Sequence, residues 1–143
     1  MCYSIYISTD SRSDLAAKNN ELIEFTRMKD KSENSSISLL SFENVWHVGS
    51  RSNCSCGFRH LLSHELGFSE PVDWYEEDEQ DLEATKQVYL IFRGLVEDGC
   101  SLDCVDKWEG ADLSNIVSIE VSVREVGAAE FRFFENYYFV FIE

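Results

Sequence analysis

The chain has 143 residues, 44% of them hydrophobic and 13% aromatic, with 27 acidic against 12 basic side chains and a net charge of -15. That length suits one domain spanning 1–143, able to bury roughly 70% of its unfolded-chain surface without a metal or disulfide staple. So acidic a surface repels phosphate backbones, which disfavours nucleic acid as a partner and favours cations or a basic protein.

Five cysteines stand at 2, 54, 56, 100 and 104. An odd count without a secretory leader argues against a disulfide framework and for a reducing, cytoplasmic setting. The opening residues lack the basic and apolar regions of a signal peptide. No apolar run approaches the roughly 18 residues of a membrane span, so no membrane partner is expected.

Residues 2–8 alternate, with Tyr3, Ile5 and Ile7 on one side, and read as a strand. Polar residues then mark a turn, and 14–20 suits one or two helical turns. Residues 21–28 lean to strand. The polar stretch 29–36 reads as loop, 37–42 as a short helix or irregular chain, and 45–48 as a short strand. Residues 49–57 form a polar, glycine-bounded loop, and 58–66 suits a short helix ended by Gly67.

Residues 76–98 give the strongest signal. Leu82, Tyr89, Phe92 and Val96 share one helical face, widened by Val88, Ile91 and Leu95. Acidic residues crowd the first turns, where the helix dipole favours them, and Gly99 stops the helix. Residues 101–108 and 116–123 read as strands, the second with Val117, Ile119, Val121 and Val123 on one side. Residues 127–135 suit a helix packing Phe131 or Phe134 inward. Residues 137–142 are apolar throughout and read as a central strand covered on both faces. The order predicts a single-domain α+β fold: a mixed or antiparallel sheet of about five to six strands, with one long helix and one or two short ones packed on it.

Chemistry concentrates in one segment. Cys54, Cys56, His60 and His64 place four metal-ligand side chains within eleven residues. In extended chain Cys54 and Cys56 point the same way, about 7 Å apart. Gly57 permits a reversal, and His60 and His64 would share a helical face. Zinc takes two-cysteine, two-histidine sets of this composition, although its paired cysteines usually stand two to four residues apart and here there is one between. Cys104 could fold against this loop and add a thiolate. Cys100 and Cys104, about 13 Å apart in a strand, would not share an ion.

The same residues admit other readings. Arg59 and His60 would favour a thiolate at Cys54 or Cys56, giving a thiol-dependent redox protein or enzyme with His60 as base. Arg51, Arg59 and His60 beside a glycine-containing turn, with the large ring of Trp74, would suit a small anionic ligand. The acidic run 76–81 would meet a basic partner in a pure interaction module. The commonest use of such residues is plainer: buried thiols and ordinary ion pairs. No phosphate loop, dinucleotide fingerprint, nucleophile elbow or zincin motif assigns an enzyme class, and no pattern sets an oligomeric state.

Overall fold

The computed structural model describes residues 2–29, 35–51, 54–60, 67–72, 74 and 76–143. Six strands form one mixed sheet: β1 (Tyr3–Thr9), β2 (Ile23–Arg27), β3 (Asn44–Ser50), β4 (Leu102–Trp108), β5 (Val117–Ser122) and β6 (Tyr137–Ile142). Their order across the sheet is β2-β3-β1-β4-β6-β5. All neighbours are antiparallel except β5 and β6. Short 3-10 turns occupy Leu15–Lys18, Ser35–Leu39, Ser55–Gly57 and Leu113–Asn115.

The long helix, α1 (Glu79–Glu97), starts at Asp78, whose carboxylate accepts from the amides of Gln80 and Asp81. It ends as the amides of Gly99 and Cys100 return to the carbonyls of Val96 and Leu95, with Gly99 at φ 88°. That positive φ is easy only without a Cβ. Ala84, Val88, Tyr89, Phe92, Leu95 and Val96 are buried on one side of α1. They meet Ile5, Ile7, Val48, Cys104, Phe139 and Phe141 from the sheet in the main core. Across the sheet a smaller cluster joins Tyr6, Val45 and Val105 to Ile37 and Leu40, so β1 and β4 are covered on both faces. On that side buried Asp103 accepts from the Ser8 hydroxyl, the Tyr138 hydroxyl and the Ser41 amide.

Three expectations need correction. Residues 127–135 are not helical but a turn followed by extended chain. The Glu130 carboxylate reaches back to the Gly127 amide at 2.8 Å and closes the turn. Phe131, Phe133 and Phe134 all enter the core, so the inward aromatic packing expected of this segment is met without a helix. Residues 58–60 are likewise extended, with His60 bridged to Phe133; residues 61–66 lie outside the described set. The apolar run of β6 lies inside the sheet, between β4 and β5, as expected, but its second face is only partly covered, with Tyr138 packed on the smaller cluster. Phe139 and Phe141 are buried, whereas Tyr138 and Val140 are half-buried and Ile142 is exposed. The neighbouring edge strand β5 buries Val121 but leaves Val117 exposed.

Candidate metal centre

The site grows from a gap in the sheet. The register of β1 with β3 runs from Tyr6 opposite His47 to Thr9 opposite Asn44. Beyond Tyr6 the two strands part, although β3 stays paired with β2 as far as Ser50. The Ser55–Gly57 turn fills the opening. The Ile5 amide donates to Ser55 Oγ at 3.0 Å, and that hydroxyl donates to the Val48 carbonyl at 2.6 Å. One buried side chain thus bridges two strands that no longer meet.

Ser50 fixes the two ends of the turn. Its amide and its hydroxyl both donate to the Cys54 carbonyl, at 2.7 and 2.6 Å, and its Oγ accepts from the Gly57 amide at 3.0 Å. The Tyr3 amide donates to Cys56 Sγ at 3.4 Å. Next to Tyr3, Cys2 continues the pairing with β4: its carbonyl accepts from the Glu109 amide and its own amide donates to the Glu109 carboxylate at 3.2 Å.

These contacts bring together the sulfurs of Cys2, Cys54 and Cys56, all within 4.8 Å of one another and all half-buried. No disulfide joins any of the five cysteines. Burial pushes the Cys56 thiol up to about 12; Cys54 and Cys2 nearby push the same way, while the Tyr3 amide acts against them. Metal-bound sulfur is thiolate, so an ion held here must displace that proton, and its affinity rises with pH.

Of the four ligands expected from the sequence, Cys54 and Cys56 stand in this cluster and His64 lies outside the described residues. His60 is engaged elsewhere. Its Nε2 lies 2.9 Å from Asp106 Oδ2, and its Nδ1 lies 3.3 Å from the Phe58 carbonyl. A carbonyl only accepts, so Nδ1 is the donor in that contact, while Nε2 faces the carboxylate. That contact is close but not directed along a hydrogen-bond axis. The ring of Tyr3 stacks on His60 at 3.8 Å. Asp106 is fully buried, and its carboxyl is raised above the usual range by burial, with His60 acting against the rise.

The cations considered for an anionic ligand are paired. Arg59 Nε contacts both oxygens of Glu77, at 2.8 and 3.0 Å, and its Nη1 donates to the Ala129 carbonyl. Arg51 lies 2.7 Å from Asp81 and 3.8 Å from Asp78. Both tie the cysteine loop to the acidic start of α1. Trp74 is 73% exposed. Cys104 is buried mid-strand opposite Ile7, and Cys100 precedes β4 at the end away from Glu109.

Sequence reasoning missed Cys2. It stands 52 positions from Cys54, and only the pairing of β1 with β4 and the wedge between β1 and β3 bring it close. No local motif carries that signal. Comparison with protein families, with curated proteins and with solved structures finds no match, so the residues themselves must carry any functional reading.

Proposed function

We propose that this protein binds a thiophilic metal ion through Cys2, Cys54 and Cys56. The observation that carries the proposal is the convergence of three sulfurs, from two distant parts of the chain, within 4.8 Å. An ion with bonds of about 2.3 Å to sulfur sets its ligands about 4 Å apart, a small adjustment from that arrangement. The frame around the sulfurs is backbone pairing and buried hydroxyls, which hold the ligands near their positions before the ion arrives.

A reactive-thiol role finds less support. Nucleophilic cysteines need a lowered pKa, and burial drives Cys56 the other way. The cationic side chains expected to favour a thiolate are turned to carboxylates instead: Arg59 to Glu77 and His60 to Asp106. A basic partner at the start of α1 would have to compete with Arg51 and Arg59 for Asp81 and Glu77.

Elemental analysis of protein purified without chelator, followed by titration of the stripped chain, tests the proposal. Near-stoichiometric metal, lost in C2S, C54S and C56S alike, is the expected result. A chain that carries no transition metal and shows no micromolar affinity for zinc or cuprous ions would overturn it.

A further inference from the structure

We infer that the ion acts as a clip, fastening the N-terminal end of β1 to the turn that wedges it from β3. The inference rests on the metal-binding reading above and adds what the ion does for the fold. Strand β1 pairs with β4 along its whole length, from Tyr3 opposite Trp108 to Thr9 opposite Leu102, but with β3 only from Tyr6 onward. Alternate residues of a strand turn their amides to the same side. The amides of Tyr3 and Ile5 therefore both face the opening, and each meets a substitute acceptor from the turn: Cys56 Sγ for Tyr3 and Ser55 Oγ for Ile5.

The two substitutes are unequal. A hydroxyl oxygen accepts well, whereas a thiol sulfur is a weak acceptor. The hold of the turn on β1 thus weakens toward Tyr3, where the strand begins. An ion strengthens it in two ways. Metal-bound sulfur is charged, and a hydrogen bond to a charged acceptor is roughly twice as strong as a neutral one. Linkage requires the same: the Tyr3 amide acts against the rise of the Cys56 thiol, so ionising that sulfur tightens the amide's bond to it. The ion also joins Cys2, the residue before β1, to Cys54 and Cys56 at the turn, whose sulfurs already stand within 4.8 Å of its own.

Tyr3 passes the effect on. Its ring stacks on His60 at 3.8 Å and meets Trp108 edge-on at 4.7 Å, and His60 lies against buried Asp106. Opening the end of β1 would part these rings and release the ion together. Free ion therefore opposes that opening by mass action, in proportion to its concentration once this exceeds the dissociation constant.

The test is amide hydrogen exchange of the full chain, read residue by residue by NMR. The chain is stripped under reducing, oxygen-free conditions and titrated with zinc and, in a parallel series, with cuprous ion. Exchange at Tyr3 should slow about tenfold when free ion stands at ten times its dissociation constant, and further as the ion rises. Val126, whose amide bonds the Ser122 carbonyl in the turn after β5, should keep its rate. C2S should show no slowing at Tyr3 at concentrations that saturate wild type. Ion bound to wild type with the Tyr3 rate unchanged overturns the clip and leaves metal binding intact. Slowing that persists in C2S also overturns the clip, since Cys2 is the link to β1. Failure of both ions to bind overturns both readings.

Discussion

Ser55 gives Ile5 the hydrogen-bond partner that β3 no longer offers. Its hydroxyl accepts from the Ile5 amide and donates to the Val48 carbonyl, and all three residues are buried. The cysteine-bearing turn is therefore part of the sheet's own hydrogen bonding and is not a loop laid over it. The position of Cys54 and Cys56 follows from the need to satisfy backbone groups where two strands diverge.

S55A should accordingly destabilise the fold and the site together. It would leave a buried amide and a buried carbonyl unpaired, at about 2–3 kcal/mol in total. Urea denaturation should show that loss, and metal affinity should fall although no ligand has changed. Wild-type stability in S55A would mean that the bridge contributes nothing.

Gly57 faces Ser50 with no room for a side chain. A Cβ there would stand 2.5 Å from Ser50 Oγ and 2.8 Å from Ser50 Cβ. Both Ser50 atoms lie at the base of a short side chain, so relief requires the backbone to move. G57A should cost about 1–3 kcal/mol and loosen the Cys54–Ser50 contacts. Thermal unfolding checks the first effect and metal titration of the folded variant checks the second.

The sheet and the long helix were legible because their patterns are local. Alternation marked β1 and β5, and the stripe from Leu82 to Val96 together with Gly99 marked α1. Residues 127–135 misled because aromatic side chains close together suit either period. The choice of extended chain is made by the core that receives Phe131 and Phe133, not by local preference. At the site, Cys54 and Cys56 stood out by spacing. Cys2 did not, since its place depends on pairing with Glu109, 107 residues away. His60 carried the opposite lesson. Its spacing from the cysteines invited a ligand role, but Asp106, invisible as a partner in the sequence, holds it.

Asp106 should leave a signature in the dependence of stability on pH. Its carboxyl in the folded protein is raised above the ordinary 3.8, burial being the main cause. A raised carboxyl contributes stability that is fully present below the unfolded value and is lost as pH rises through the folded value. The unfolding free energy of wild type minus that of D106N should therefore fall as pH climbs from 3.8 through the raised native value, then level off. Denaturant curves for the two proteins at matched pH check the sign. A difference that grows with pH over this window would contradict the assignment.

Arg59 and Glu77 form the buried clamp between the cysteine segment and the start of α1, with side chains 2% and 9% exposed. Removing one partner of such a pair leaves an uncompensated charge and costs about 3–5 kcal/mol, while replacing both by uncharged groups restores much of the loss. R59M should thus be strongly destabilised and R59M/E77Q distinctly less so. Arg59 Nη1 also holds the Ala129 carbonyl, so the double variant should stop short of wild type by the value of that contact, about 1 kcal/mol. Chemical denaturation of wild type, R59M, E77Q and R59M/E77Q closes the cycle. If the single and double variants lose the same stability, the ion pair is incidental, and the bond from the Arg59 amide to Thr85 Oγ1 at 2.7 Å holds the segment to α1.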